Sequence, residues 1–223
     1  MSLLKTLQDK LESLLAHDNP EHLRKDTLIA SDPDYMLNSP QVVGYNTTAE
    51  QQYIFQNLIV GFDPRSNTIL DVACGRADLY GYMSEIYDAN ILGYTGIDHN
   101  PIMSDLAKQK YGIDVITGAF ETSELKLHDY VVASGFFTQR RCQSEDEDLE
   151  KLFIDVHSMY ELANQAVSFN LLSPINNTIH EGFFYVHPGL VMDMLLEKYQ
   201  YVNIRHNYSK DVYTVTIYKN YLS

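Results

Sequence analysis

The sequence predicts an α/β fold, with a mostly parallel seven-stranded sheet, helices on both faces and an antiparallel hairpin at the C-terminal end. Three observations lead to it. Short apolar and β-branched runs alternate with helical patterns from residue 67 onward, the succession that parallel strands joined by crossover helices produce. The last two runs, "QYVNIRH" and "DVYTVTIYK", are separated only by "NYSK". A parallel return needs a crossover of about a dozen residues, so these two strands are antiparallel neighbours. Finally, 223 residues with 45% hydrophobic content are enough for one well-packed domain and short for two.

Taken in order, residues 3 to 15 place Leu3, Leu4, Leu7, Leu11, Leu14 and Leu15 on one helical stripe. That stripe lies either on its own domain or against a second chain, which would make a homo-oligomer through this helix. Residues 17 to 45 hold three prolines and little periodicity, and read as a connecting segment over the surface. The chain thus divides into an N-terminal helix with its connection, 1–45, and an α/β domain, 46–223. "NTTAEQQYIFQNLIVGF" is a helix capped by Thr47 or Thr48, with Tyr53, Ile54, Leu58 and Ile59 facing inward.

"NTILDVA" is then a buried strand, 78 to 88 a helix and "ILGYTGID" a second strand. Residues 101 to 111 form a helix with Pro101 near its first turn, and "IDVITG" is the third strand. "HDYVVASG" is the fourth, 145 to 162 a long helix, "QAVSFNLLS" the fifth strand, and "HPGLVMDMLLEKY" a helix opened by Pro188. The long helix starts at a capping box, Ser144 with Glu147. Glu145, Asp146 and Asp148 complement the positive end of its dipole, which accounts for the acidic cluster without a metal. Its inward stripe is Leu149, Leu152, Phe153, Val156, Met159 and Tyr160.

Composition excludes several classes of function. With 30 acids against 16 bases, the net charge of −14 repels a polyanion, so bulk nucleic acid is a poor partner. No apolar run approaches the length of a membrane span, and charges interrupt the N-terminal leucines, which argues against a secretory signal and for a cytoplasmic protein. Cys74 and Cys142 belong to no paired-cysteine metal pattern and read as two free thiols.

In an open α/β sheet, ligands bind at the carboxyl ends of the strands where the strand order reverses. After the first strand stand Asp71, Val72, Ala73, Cys74, Gly75, Arg76, Ala77 and Asp78. After the second come Asp98, His99 and Asn100, and after the third Gly118, Ala119 and Phe120. The fourth ends in Ser134, Gly135, Phe136 and Phe137. Asp98 is placed to accept hydrogen bonds from both hydroxyls of a ribose, or else to cap the helix at Pro101. Gly75 lets the backbone approach a ligand closely, and the Phe120 ring is placed to stack or pack on a base. The Walker pattern and the G-x-G-x-x-G fingerprint are both absent. Asp71 would oppose a pyrophosphate at the following helix, which also weakens a nicotinamide-dependent oxidoreductase. A cofactor without phosphates and with a cationic amino-acid end suits Asp71, and S-adenosylmethionine is such a molecule.

"ILDVACGRADL", "YTGID", "DVITGAF" and "HDYVVASGFF", in this order and spacing, resemble the class I S-adenosylmethionine-dependent methyltransferases, which have a Rossmann-like sheet. "ASGFF", "VSFNLLS", "FFYVHPGLVMDM" and "YTVTIYK" resemble one branch found in bacteria and their phages. The resemblance implies that Asp71 and the Ala73 to Gly75 backbone hold the methionine end and Asp98 the ribose. Ala119 and Phe120 would flank the adenine, with Ser134 and Gly135 beneath the sulfonium. Ala73 and Ala77 stand where the usual loop has glycine, an exchange that costs nothing only if both positions have ordinary negative φ.

Methyl transfer mainly demands positioning of the acceptor, with a base only when the acceptor carries a proton. Asn170, His180, Tyr185 and His187 are the wall candidates, although Asn170 also suits a tie between strands and His187 a helix cap. "ASGFF" replaces the Asn-Pro-Pro-Tyr loop of amino-methylating DNA enzymes, which leaves a small-molecule, sugar or peptide acceptor. The rival reading is a non-catalytic interaction protein that retains the fold.

Overall fold

The structure is a computed structural model and describes residues 32–176 and 179–220. The leucine-striped segment 3–15 lies outside the described residues. Seven strands, β1 (Thr68–Val72), β2 (Gly93–Asp98), β3 (Ile116–Thr117), β4 (His128–Ala133), β5 (Ala163–Leu172), β6 (Tyr201–Arg205) and β7 (Val212–Tyr218), form one sheet in the order β3-β2-β1-β4-β5-β7-β6. β1 pairs in parallel with both β2 and β4, and Asp71 lies between Gly96 and Val132. The order therefore reverses at β1, which makes its carboxyl end the switch point of the sheet. β7 runs antiparallel between β5 and β6, as the short link between the last two runs requires.

Helices cover both faces: α1 (Pro33–Asn38), α2 (Thr48–Leu58), α3 (Asp78–Ile86), α4 (Pro101–Tyr111), α5 (Glu145–Leu162) and α6 (Pro188–Leu196). Successive strand residues point to opposite faces, so each strand feeds two cores. Leu70, Val131 and Phe169 join Leu152, Met159 and Val191 on one side. Ile69, Val132 and Ala166 join Phe55, Leu58, Leu79 and Met83 on the other.

Several boundaries differ from expectation. Thr47 is the cap of α2, its hydroxyl accepting from Glu50 N at 3.1 Å. Tyr53 is not on the inward face of that helix but 51% exposed, because the buried stripe runs Gln51, Ile54, Phe55 and Leu58. Tyr53 instead meets Tyr208 edge-on at 6.0 Å. β3 shrinks to two exposed residues, as befits a sheet edge with one neighbour. The capping box of α5 is present in both directions. Along its stripe, Leu152, Val156 and Met159 are buried while Leu149, Phe153 and Tyr160 are only partly so. Asp148 stands in the first turn of α5, as expected, and is in addition buried, accepting the amides of Arg141 (2.8 Å) and Cys142 (2.9 Å) and the Arg140 guanidinium (3.1 Å).

Both cysteines are free thiols. Among the described residues no group of His, Cys, Asp and Glu is arranged to hold a metal ion, and no helix is long and apolar enough to cross a membrane.

Candidate functional site

The site is built on the turn from β1 into α3. Ala73 (φ 54°), Gly75 (φ 56°) and Ala77 (φ 60°) are all left-handed. The condition under which the alanines would be harmless therefore fails. An L-residue in this region costs roughly 1–2 kcal/mol, because Cβ crowds the following carbonyl. Hydrogen bonds from three sides hold the loop in this shape. Cys74 N donates to Ile97 O at 3.1 Å, Ala77 N to Cys74 O at 3.0 Å, and Gly75 N to Asp98 Oδ2 at 2.8 Å.

Asp98 is buried at the end of β2, and its other oxygen accepts from Asn100 N at 2.9 Å. It is not the cap of α4, because Asn100 is, through its side-chain oxygen and Ile102 N at 3.0 Å. Asp98 thus ties the β2 end to the β1 loop. His99 is exposed, with Nδ1 3.9 Å from Asp98 Oδ1.

Asp71 is 2% exposed and accepts the Tyr94 hydroxyl at 2.7 Å. Burial pushes its carboxyl up to about 7 against the pull of that hydroxyl, and the charges of Asp98 and Asp78 push the same way.

Asp78, expected beside a cofactor, is instead spent inside the protein. One oxygen takes Arg76 Nε at 2.9 Å and Gln51 Nε2 at 3.0 Å, and the other takes Lys110 Nζ at 2.8 Å and the Tyr111 hydroxyl at 2.9 Å. Gly81 makes room for this network, since a Cβ there would fall 2.4 Å from the Tyr111 ring. The network anchors the loop from behind.

The connecting segment is also more than a surface wrap. Arg76, 1% exposed, donates from Nη1 to Met36 O at 2.7 Å. A Cβ on Gly75 would lie 3.4 Å from Val43 Cγ1, and the Tyr45 hydroxyl is 2.6 Å from Ser134 Oγ. Tyr45 and Tyr94 were not legible as site residues, and Arg76, though among the residues that follow the first strand, gave no sign of its role. Arg76 sits inside the loop motif, but its single charge carries no spacing signal. Tyr45 lies in an aperiodic stretch, and Tyr94 is one apolar strand position among others.

The remaining candidates divide. Ala119 is exposed at the third strand end, whereas Phe120 is 7% exposed within the core and meets Phe136 edge-on at 6.4 Å. Gly135 (φ 82°) has open space where a Cβ would stand, and its amide donates to Asn170 Oδ1 at 2.8 Å. Asn170 is 2% exposed and thus ties β5 to the β4 end. His187 Nδ1 accepts from Gly189 N at 3.1 Å and caps α6. The Tyr185 hydroxyl accepts from His180 N at 3.2 Å, and the loop is tied to the sheet where Tyr185 bridges Leu172 and Val186 N donates to Leu172 O at 3.1 Å. Asp71, Ala73 to Gly75 and Asp98 stand at the β1 and β2 ends, Ser134 and Gly135 follow the neighbouring β4 end, and Tyr185 lies beside Leu172 at the β5 end.

No protein-family model and no curated protein matches the sequence. Solved structures do match in shape. Magnesium protoporphyrin IX methyltransferase from Synechocystis, bound to S-adenosylhomocysteine, aligns with TM-score 0.55 at 12% identity, over 84% of this chain and 97% of that one. A SAM-dependent methyltransferase from Archaeoglobus fulgidus aligns with TM-score 0.56 at 16% identity, over 78% and 96%. The plantazolicin methyltransferase BpumL, also bound to S-adenosylhomocysteine, aligns with TM-score 0.54 at 13% identity, over 84% and 93%. The sheet order, the antiparallel tail and these alignments agree: this chain has the fold of the class I S-adenosylmethionine-dependent methyltransferases.

Proposed function

We propose that the chain is an S-adenosylmethionine-dependent methyltransferase acting on a small-molecule, sugar or peptide acceptor. The observation that carries this reading is the pair of buried carboxyls, Asp71 and Asp98, on either side of a left-handed loop at the switch point. Asp71 has the Tyr94 hydroxyl as hydrogen-bond partner, and the charges acting on it are acidic, so a ligand ammonium matches its environment.

Bound there, the cofactor supplies a methyl group on a sulfonium. Asp71 and the Ala73 to Gly75 backbone hold the methionine end. Each Asp98 oxygen already accepts one amide and retains capacity for a ribose hydroxyl. Ala119 lies beside the adenine while Phe120 stiffens the wall from within the core. Ser134 and Gly135 close the floor, with open space above Gly135. Asn170 orients Gly135 through its amide and is a positioning residue. With His187 committed to a cap, acceptor placement rather than a histidine base is the main contribution of the chain. The net charge of −14 favours a neutral or cationic acceptor. Methyltransferases of similar fold are named for magnesium protoporphyrin IX and for plantazolicin, and so for different acceptors.

The test is calorimetric titration with S-adenosylmethionine and S-adenosylhomocysteine, beside a native mass spectrum of the purified chain. Saturable heat or a co-purified cofactor supports the reading. No heat and no melting shift at millimolar ligand would sink it. One observation favours a second reading, a non-catalytic protein that keeps the fold: alanine rather than glycine at two left-handed positions weakens the loop. Binding without transfer of a labelled methyl group to any acceptor in a broad panel would favour that alternative.

A further inference from the structure

We propose that Tyr45 is a positioning residue of this site, locking the Ser134–Gly135 strand end that forms the floor of the methionine half. The inference rests on the methyltransferase reading and adds to it a residue contributed by the N-terminal segment.

Residues 32–45 cross the switch point as a strap with three fastenings. Arg76, sealed from solvent, holds Met36 O at 2.7 Å. Val43 is the nearest side chain to the open face of Gly75. Tyr45 reaches Ser134 at 2.6 Å, across 89 positions of sequence. Gly44 makes the last two compatible, because its φ of 87° turns the chain between Val43 and Tyr45.

The tyrosine ring is itself fixed. It meets Phe55 of α2 edge-on at 5.9 Å, and Phe55 in turn meets Tyr82 of α3 at 5.8 Å. A hydroxyl on a clamped ring defines the place of its partner more narrowly than one on a free side chain. Burial, together with the nearby charges of Asp71 and Asp78, pushes its ionisation far above neutral pH, so it remains a hydroxyl able to donate or accept.

Beyond Ser134, the next amide, Gly135 N, is held by Asn170 Oδ1 at 2.8 Å. Tyr45 and Asn170 therefore pin adjacent residues of one strand end. Asp98 and Phe120, which serve the adenosine half, sit beyond β1 on the β2 and β3 ends. Removing the Tyr45 hydroxyl should thus affect one half of the cofactor and not the other.

The experiment titrates the full chain, its Tyr45→Phe and Ser134→Ala variants and the double variant with S-adenosylhomocysteine and, separately, adenosine. Each single variant is expected to lose about 3- to 10-fold in affinity for S-adenosylhomocysteine, the size of one neutral hydrogen bond. Adenosine affinity stays within about twofold, and the double variant is no weaker than the worse single one, as for partners in one contact. An unchanged S-adenosylhomocysteine affinity in Tyr45→Phe overturns the proposal, as does an equal loss for both ligands, which would mark a merely structural role. If the parent binds S-adenosylhomocysteine and only the Tyr45 effect is missing, the methyltransferase reading stands. If the parent binds neither ligand, both fall.

Discussion

The carboxylate of Asp98 accepts the amide of Gly75 at 2.8 Å, so the acid that would hold the ribose also holds the loop that would hold the methionine end. Its other oxygen takes Asn100 N, the residue that caps α4. One buried side chain thereby sets the spacing of two strand ends and a helix.

Asp98→Ala is accordingly expected to weaken S-adenosylhomocysteine binding by about 1.5–3 kcal/mol, the range for hydrogen bonds to a charged group. Calorimetry on parent and variant checks this. Equal affinity in the two would contradict the assignment.

Asp71 gives a pH dependence of known sign. Its folded carboxyl keeps a proton up to about 7, whereas the unfolded chain releases it near about 4. Between those values the folded state binds more protons, so this group's contribution to stability falls as pH rises. The melting temperature of Asp71→Asn minus that of the parent is therefore expected to increase from pH 5 to pH 8. Binding of a ligand ammonium should also strengthen up to about pH 7 and release a proton, seen as a buffer-dependent binding enthalpy. A flat difference in melting temperature would remove Asp71 as the titrating group.

The two loop alanines should respond differently to glycine. Ala73 is partly exposed and Ala77 fully buried. Relief of roughly 1–2 kcal/mol from the left-handed region exceeds the roughly 0.5–1 kcal/mol of chain entropy that a glycine adds, with little burial lost at Ala73. At Ala77 a lost methyl, about 0.8 kcal/mol, and added chain entropy offset most of it. Thermal melting is expected to show Ala73→Gly higher by about 2–4 °C and Ala77→Gly nearly unchanged. A lower melting temperature for Ala73→Gly would contradict the strain.

Asp78 is expected to register in stability rather than directly in ligand contact. Asp78→Ala leaves Arg76, 1% exposed, without its carboxylate and frees Lys110 and Tyr111. Losing one partner of a buried pair costs about 3–5 kcal/mol. Chemical denaturation measures this, and a loss below about 1 kcal/mol would show that the network is not the anchor described here.

The helices and strands were legible because each buries a regular stripe: Leu152, Val156 and Met159 in α5, and the alternating Ile69 and Leu70 in β1, follow directly from period and polarity. The reading of Tyr53 fails because one side chain has two competing partners. Tyr53 reads as apolar and inward, yet Tyr208 offers its ring a partner at the surface. Asp148 does stand in the first turn of α5, and its two amide partners and Arg140 add a role that the dipole reading did not include.

That Asp71 and Asp98 stand at strand ends beside the reversal of strand order was likewise legible, since that topology can be read from element order. The sequence by itself determined the sheet, its antiparallel tail and the loop on which a cofactor would rest. Tertiary structure alone decided that Ala73 and Ala77 are left-handed, that Asp78 is an anchor, and that Tyr45 reaches Ser134 across 89 positions. The physical reason is range. Period and capping are local properties of the chain, whereas loop strain and a hydroxyl's choice of partner are fixed by elements distant in sequence that meet only when the sheet is assembled.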